Sequence, residues 1–317
     1  MKWGIVSASR ISHRFIKAVQ QVGQDTVYAV ASRDVERAKA LQTEYAIPKA
    51  YASYEELYQD PQVDVVYISN VNNHHFEVVM QAIAHKKHVV CEKPLAVSAC
   101  EAKAMVDAAR KAGVFFMEAL WTRFLPLYEK IHVVIAAGEI GEVQQMRVDF
   151  AFEAERNEDW RLLNPALGGG ALYDIGIYAF MFILDFMGTD IKGVKATGLR
   201  GTTGVDEESV VTLDYGDGKT ATAFLSFRSA RPRFGTIFGT KGQIEIFNFY
   251  AANEATVFHY ETKSSYIIKE EDVENKFIYE VDAVHQYMQN GDVQATRVPW
   301  AHSVCAAEVI DEALEQL

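Results

Sequence analysis

Short apolar runs alternate with segments of helical periodicity over the first 120 residues of the chain. The runs are nearly continuous in valine, isoleucine and other apolar residues, which is typical of strands buried on both faces of a parallel sheet. Strands are predicted over residues 3–7, 26–31, 63–69, 88–91 and 114–117, and helices over 11–22, 35–45, 76–85 and 99–111. This alternation predicts a doubly wound parallel α/β domain over residues 1–120.

After residue 120 the apolar residues follow longer, alternating patterns. Strands are predicted over residues 143–153, 191–200, 209–215, 221–228 and 233–238, and helices over 124–137, 171–187, 276–290 and 302–317. Asp217-Gly218 separates two of these strands as a hairpin turn does. We therefore expect a second, α+β domain over residues 121–317, built on a large, mainly antiparallel open sheet.

Composition and charge exclude several classes of protein. The chain is 49% apolar and 23% charged, as globular proteins are. Its net charge of −12 argues against a nucleic-acid surface, which needs clustered lysine and arginine. No apolar run approaches the roughly 20 residues of a membrane span, and no signal-peptide pattern precedes the first strand. Three scattered cysteines, Cys91, Cys100 and Cys305, favour a reducing cytoplasm, and we expect no metal site.

The tripeptide Glu92-Lys93-Pro94 follows one predicted strand directly. Ser98, a plausible N-cap, then begins the next predicted helix. Ligands of open parallel sheets bind outside the carboxyl ends of the strands, so Lys93 is placed where a cofactor or substrate would lie. The alternative is an ordinary surface lysine in a strand-to-helix loop.

The loop between the first strand and the first helix lies where a phosphate-binding loop belongs. Its candidate cofactor-binding residues are Ser7, Ser9, Arg10 and Ile11. Ser7 and Ser9 stand where glycine is usual in such loops. Small residues still let the backbone approach a pyrophosphate, and a hydroxyl can donate a hydrogen bond to it.

The second strand ends at Ser32-Arg33-Asp34, where dinucleotide-binding domains contact the ribose. A 2′-phosphate needs hydroxyl and guanidinium donors, so Ser32 and Arg33 favour NADP(H). Asp34 could bind a ribose hydroxyl instead, which keeps NAD(H) open. A helix-capping serine beside a solvated arginine is the alternative without a ligand.

Polar residues also follow the strand predicted over residues 63–69. Asn70, Asn72 and His75 are candidate cofactor contacts at the same edge of the sheet. His74 and His75 are adjacent, so they cannot both face one metal from a helix. Residues of a polar turn at a helix N-terminus are the alternative interpretation.

Five motifs follow one another in a fixed order along the chain. They are the N-terminal loop, the 72–75 turn, Glu92-Lys93-Pro94, the segment 168–178 and the segment 239–242. In this order they resemble the glucose–fructose oxidoreductase, inositol dehydrogenase and MocA family over nearly the whole chain. Residues 117–124 and Tyr178 look more like its dimeric dihydrodiol dehydrogenase and NADP-dependent D-xylose dehydrogenase branch. The resemblance implies a Rossmann-type dinucleotide-binding domain followed by a substrate-binding and oligomerisation domain.

The resemblance also implies a reaction and the residues that carry it. It implies NADP(H)-dependent interconversion of a secondary alcohol or sugar hemiacetal with its carbonyl, on a sugar, cyclitol or trans-dihydrodiol. Lys93 and Tyr178 would transfer the proton, with Asp174 in support. Asp174 and Tyr178 are four residues apart and so share one helical face. A phenol has a pKa near 10, and a nearby ammonium favours the phenolate.

Further site residues are candidates on the same resemblance. Arg123 joins Lys93, Asp174 and Tyr178 as a substrate contact, and Glu92, Trp160 and Arg161 join the cofactor contacts. A homodimer or homotetramer through the large sheet is expected. For Tyr178 the alternative is an aromatic core residue, and for Arg123 a surface arginine. For the whole protein it is a cofactor-binding sensor without turnover on the same fold.

Overall fold

The computed structural model describes residues 1–317 and contains two units. Unit 1 comprises Met1–Phe124 and Glu274–Ser303, and unit 2 comprises Leu125–Val273 and Val304–Leu317. The strands are β1 (Lys2–Val6), β2 (Thr26–Ala31), β3 (Lys49–Tyr51), β4 (Val65–Ile68), β5 (His88–Glu92), β6 (Phe116–Ala119), β7 (Val143–Ala151), β8 (Gly193–Arg200), β9 (Asp206–Gly216), β10 (Lys219–Ser226), β11 (Phe234–Gly239), β12 (Gly242–Phe247), β13 (Glu254–His259) and β14 (Ser264–Lys269). The α-helices are α1 (Arg10–Val22), α2 (Val35–Tyr45), α3 (Tyr54–Gln59), α4 (His75–Ala84), α5 (Ala99–Ala112), α6 (Pro126–Ala136), α7 (Ile177–Met187), α8 (Phe277–Gln289) and α9 (Trp300–Glu315).

Unit 1 is built on a six-stranded sheet in the order β3-β2-β1-β4-β5-β6, and every pair of neighbours is parallel. This confirms the predicted doubly wound α/β fold. The core includes Trp3, Phe15 and Tyr67, and the rings of Phe15 and Tyr67 stack 3.7 Å apart. The strand order reverses between β1 and β4, which is where open α/β sheets bind ligands.

The chain returns to unit 1 near its end. Asn275 donates a hydrogen bond to the Arg14 carbonyl at 3.0 Å, and the Arg14 guanidinium lies 4.6 Å from the Phe277 ring. Phe277 also packs near Trp121. The segment Glu274–Ser303 therefore packs with the parallel sheet, although the sequence division placed it within residues 121–317. Sequence periodicity predicted α8 but carries no signal for the partner that it covers.

Unit 2 is built on an eight-stranded sheet in the order β14-β13-β12-β11-β7-β10-β9-β8. All neighbours are antiparallel except β7 and β10, which confirms the predicted mainly antiparallel sheet. The predicted hairpin at Asp217-Gly218 joins β9 to β10, and both residues have positive φ, as such turns require. The strands β12, β13 and β14 were not predicted from the sequence. The edge strand β14 is mostly exposed, so it lacks the alternation that predicts a strand.

A helical stretch crosses the interior of unit 2. Leu172–Gly176 forms a π-helical turn that continues into α7, so the predicted 171–187 helix is confirmed with a wider first turn. The stretch Pro165–Met187 is long and apolar enough for a membrane span by length and composition, which the sequence analysis did not expect. Its most apolar window is 83% buried inside the protein, so it is a core helix.

Candidate active site

Ser7 follows β1 directly and has a backbone conformation that usually selects glycine. Its φ is +82°, and its N–H donates to the Ala31 carbonyl at 3.0 Å. A Cβ in this region costs roughly 1–2 kcal/mol, which glycine avoids. The turn therefore keeps the geometry of a glycine-rich loop while carrying a hydroxyl.

Three serine hydroxyls tie this loop to the end of β4. Ser9, the N-cap of α1, has its Oγ 3.0 Å from Ser12 Oγ and 2.9 Å from Ser69 Oγ. Ser12 Oγ donates to the Ser7 carbonyl at 2.9 Å. Ser9 thus fixes the loop, and the first turn of α1, where Arg10 and Ile11 lie, presents its backbone N–H groups to an anion. Ser12 and Ser69 were missed; a serine three residues after the N-cap was the available signal.

Ser32 and Asp34, which follow β2, form hydrogen bonds that stabilise the start of α2. Ser32 is buried, and its Oγ accepts a hydrogen bond from the Asp34 N–H at 3.3 Å. The Asp34 carboxylate caps α2 by accepting from the Glu36 N–H at 3.1 Å. Arg33 is exposed beside them. Ser32 and Asp34 therefore have the helix-capping role that was the alternative interpretation of this turn. Arg33 is the exposed side chain that a ligand could contact.

Arg37 is a basic residue of this region that the sequence analysis missed. It lies one helical turn after Arg33 on α2, and its guanidinium donates to the Ala8 carbonyl in the β1–α1 loop. A second guanidinium thus reaches the loop where a dinucleotide would bind. The spacing of four residues between two arginines at a helix start was the available signal.

The side chain of Asn70, which follows β4, has a buried hydrogen-bond acceptor without a donor. Its amide nitrogen donates to the Tyr54 hydroxyl at 3.0 Å, whereas its Oδ1 is buried without a hydrogen-bond partner. A buried acceptor left unpaired costs about 1–3 kcal/mol, so a ligand that donates to it would be stabilised there. Asn72 follows in a 3₁₀ turn, Asn72–His74. These residues at the strand-order reversal fit a nicotinamide dinucleotide.

His75 lies beneath these loops and is fully buried. Its Nδ1 is 2.8 Å from the Pro94 carbonyl oxygen, and its Nε2 is 3.0 Å from the Asn70 carbonyl oxygen. Burial lowers the pKa of His75, and the Lys93 charge lowers it further, against the effect of backbone hydrogen bonds with Pro94, Asn70 and Leu95. His75 therefore connects the loop after β4 to the loop that carries Lys93. Its predicted contact with a cofactor stays a prediction.

Buried carboxyls hold the loop of residues 93–98 between β5 and α5, which is called the Lys93 loop below. Glu92 accepts hydrogen bonds from the Tyr67 hydroxyl and, at 3.2 Å, from the Lys93 N–H. The Lys93–Pro94 peptide bond is cis. Glu118, on β6, accepts from the Leu95 N–H at 2.8 Å. Burial raises the pKa of Glu118 to about 7, against the opposing effects of Ser303, the Leu95 amide and the Lys93 charge.

A third carboxyl, Glu280 on α8, is also buried in unit 1. Neither of its carboxyl oxygens has a hydrogen-bond partner. Burial, and after it the Glu92 charge, raises the pKa of Glu280 well above 4.5. Glu118 and Glu280 were missed because the sequence does not show that distant elements bring them to the Lys93 loop.

Arg123 lies in a 3₁₀ turn, Trp121–Phe124, directly after β6. It is only 6% exposed, so it is not a surface arginine. Its Nη1 is 3.3 Å from His302 Nδ1. The substrate contact predicted for Arg123 stays a prediction.

In unit 2 the predicted residues Arg161 and Asp174 meet. Asp174 lies in the π-helical turn and is 8% exposed, and Arg161 Nη1 donates to its Oδ1 at 2.8 Å. Tyr178 is in the first turn of α7 and is partly exposed. Its ring centroid lies 6.0 Å from that of Phe150. Trp160 is 41% exposed beside Arg161.

A buried carboxyl group, that of Asp206, lies at the start of the helical stretch that carries Asp174. Asp206 accepts a hydrogen bond from the Leu172 N–H at 2.8 Å, and burial raises its pKa to about 6. Gly170 has a φ of +131°, and a Cβ there would overlap Asp206 Oδ1. A Cβ on Gly169 would lie 2.8 Å from the Arg161 carbonyl oxygen. Close approach of these atoms therefore requires glycine at residues 169 and 170, and the positive φ requires it at residue 170 as well.

Two protein-family models match parts of this chain. Residues 1–120 match the model of an oxidoreductase family with an NAD-binding Rossmann fold. Fold and sequence thus define an oxidoreductase with a Rossmann-type domain. Residues 128–245 match the GFO/IDH/MocA C-terminal domain. The chain belongs to the GFO/IDH/MocA family, as the sequence motifs predicted.

Similar full-length proteins are dehydrogenases. The trans-1,2-dihydrobenzene-1,2-diol dehydrogenase of Xenopus laevis is 37% identical over 100% of this chain and 98% of its own length. The human protein of that name is 34% identical over 98% of this chain and 95% of its own length.

Solved structures share the fold. A levoglucosan dehydrogenase in complex with NADH and levoglucosan has a TM-score of 0.90 at 19% identity, covering 100% of this chain and 96% of its own. A 3-ketoreductase from Actinomadura kijaniata with NADP and TDP-benzene has a TM-score of 0.86 at 22% identity, covering 98% and 96%.

Among all residues described, no group of three or more His, Cys, Asp or Glu side chains is arranged to hold a metal ion.

Proposed function

We propose that the protein is an NADP(H)-dependent dehydrogenase that interconverts a secondary alcohol or sugar hemiacetal with its carbonyl. The observation that carries this proposal is the Lys93 loop, which Glu92, Glu118 and His75 hold from the interior at the carboxyl edge of the parallel sheet. Full-length similarity to trans-dihydrodiol dehydrogenases supports a cyclic diol, sugar or cyclitol as the substrate class. The cytoplasm is the proposed location.

Residues at the strand-order reversal would hold the cofactor. The N–H groups at the start of α1 face the pyrophosphate in this proposal, and Asn70 Oδ1 accepts a hydrogen bond from the ligand. Arg33 and Arg37 supply guanidinium groups for a 2′-phosphate. Asp34 already caps α2, which favours NADP(H) over NAD(H). When bound, the nicotinamide accepts or returns the hydride.

Lys93 and Tyr178 carry the proton transfer in this proposal. The Lys93 ammonium holds the substrate oxygen, and the Tyr178 phenol takes its proton in the oxidation direction. Asp174 is neutralised in part by Arg161, so it can accept a hydrogen bond from a substrate hydroxyl while its charge stays paired. Burial of Asp174 makes that partner necessary.

Fluorescence titration with NADPH and NADH, followed by turnover of a polyol and dihydrodiol panel with NADP+, tests the proposal. Tyr178→Phe should abolish turnover and leave NADPH affinity within a few-fold, because only the proton-transfer group is lost. Tyr266→Phe on the exposed edge strand β14 is the matched control. Turnover that survives Tyr178→Phe contradicts the assignment, and cofactor binding without any turnover favours a sensor.

We also propose that the large sheet pairs with a second copy of the chain. Leu199, Phe247 and Ile267 lie on its strands and are 45%, 62% and 62% exposed. Large apolar side chains at exposed positions along one sheet are more stable when they are covered. Light scattering should show a dimer or tetramer, and Phe247→Asp should shift it toward the monomer. A monomeric wild type would contradict the proposal.

A further inference from the structure

Arg233 is a partly buried arginine of unit 2 without a carboxylate partner. Its Nη1 donates to the Tyr250 hydroxyl at 2.7 Å, and its guanidinium carbon lies 5.4 Å from the Phe150 ring and 5.5 Å from the Tyr250 ring. The nearby Arg228, in contrast, pairs with Glu207 at 3.1 Å. A guanidinium taken partly out of water is stabilised when an oxyanion supplies the opposite charge.

The rings that surround Arg233 also surround Tyr178. The Tyr178 centroid lies 6.0 Å from that of Phe150 and 5.8 Å from that of Tyr250. Phe150 and Tyr250 stack on each other 4.8 Å apart. One aromatic ring therefore separates the guanidinium from the phenol. Arg233 and Tyr178 therefore border the same pair of rings.

Arg231, two residues earlier, lies on the other face of the sheet. Its guanidinium carbon is 3.9 Å from the centroid of Phe224, which alternates on β10 with the buried Ala223 and Leu225. Because successive side chains of a strand point to opposite faces, Phe224 and Arg231 are turned away from the helix side. Arg231 has the same charge and the same loop as Arg233, so it provides a matched control.

We propose that Arg233 binds an oxyanion substituent, a carboxylate or a phosphoryl group, on the substrate that Tyr178 acts on. This inference rests on the proposed dehydrogenase function and narrows its substrate class to anionic cyclic polyols, such as sugar acids or sugar phosphates. The Tyr250 hydroxyl fixes the guanidinium, whose remaining N–H groups can then form paired hydrogen bonds to the oxyanion. The partly exposed ring of Tyr250, backed by the buried Phe150, takes the apolar side of the sugar ring.

The test compares glucose, glucuronate and glucose 6-phosphate by kcat/KM with NADP+ and by calorimetric binding. In the wild type, the kcat/KM of at least one of the two anions should exceed that of glucose by about tenfold or more. A factor of this size is the effect of one charge-assisted hydrogen bond. Glucuronate and glucose 6-phosphate separate the carboxylate from the phosphoryl group. Arg233→Gln should reduce the anion-to-glucose ratio about 10- to 100-fold, and Arg233→Lys should retain part of it.

Three results would overturn the inference. They are a wild type that prefers glucose, an Arg233→Gln variant with an unchanged ratio, and an Arg231→Gln variant that loses the ratio equally. An unchanged ratio with lower overall activity would mean that Arg233 only positions Tyr250. Failure of the dehydrogenase proposal is distinguishable, because it removes turnover of all compounds, trans-dihydrodiols included, while calorimetry still measures the anion preference.

Discussion

Replacing Glu280 by glutamine is expected to change how the stability of the protein depends on pH. Both carboxyl oxygens of Glu280 lack a hydrogen-bond partner, and burial with the Glu92 charge raises its pKa well above 4.5. The folded protein therefore keeps this proton at a pH where the unfolded chain has released it. Because the folded state then binds more protons, its stability falls as the pH rises above 4.5 toward the raised pKa.

The magnitude follows from the single proton involved. The loss approaches about 1.4 kcal/mol per pH unit while only the folded state holds the proton. Glutamine has nearly the same size but cannot ionise. The unfolding free energy of Glu280→Gln, taken relative to wild type, should therefore increase with pH by up to about 1.4 kcal/mol per pH unit. Glu274, exposed just before α8, is the matched control, and Glu274→Gln should leave the slope unchanged.

Urea unfolding followed by tryptophan fluorescence, at intervals between about pH 5 and 8, measures this difference. Trp3 and Trp121 report on unit 1, in which Glu280 is buried. A difference between Glu280→Gln and wild type that stays constant with pH would refute the reasoning. It would mean that Glu280 ionises in the folded state as readily as in the unfolded chain.

Three further substitutions test the site geometry. Ser7→Gly should raise the unfolding free energy by about 0.5–1 kcal/mol, because glycine adopts the positive φ without strain, and a lower Tm would contradict this. Arg37→Ala should lower the NADPH-to-NADH affinity ratio about tenfold in fluorescence titrations, and an unchanged ratio would exclude a 2′-phosphate contact. Gly170→Ala should cost about 3 kcal/mol in thermal denaturation, because its Cβ meets Asp206. Gly113→Ala, at a positive φ with open space, should cost clearly less.

Elements with strong local patterns could be predicted from the sequence. The bounds predicted for β2 and α2 agree with Thr26–Ala31 and Val35–Tyr45, because an apolar run and a capping aspartate mark them. The end of β5 was predicted within one residue, which placed Lys93 at the carboxyl edge. The family was confirmed as well, because five short motifs in order are specific even where each alone is weak.

Contacts between distant residues could not be predicted in this way. Glu118 and Glu280 belong to β6 and α8, and only the packing of these elements shows that both carboxyls are buried near the Lys93 loop. The unpaired Asn70 Oδ1 likewise depends on Tyr54 binding the other side of the amide. Sequence periodicity reports which face of an element is buried, but not which partner covers it.

The buried carboxyls near Lys93 lower the stability of this interior, and under the proposed function they do so at the site of the reaction. An apolar residue at Glu280 would avoid two unpaired oxygens, and one at Glu118 would avoid a carboxyl whose pKa is about 7. Burial disfavours the ionised form of both, whereas Glu92 accepts two hydrogen bonds, as a carboxylate does. The negative charge near the loop is thus limited at neutral pH. Each carboxyl that keeps its proton removes one full negative charge from the surroundings of the Lys93 ammonium, and so weakens the attraction of the interior for it.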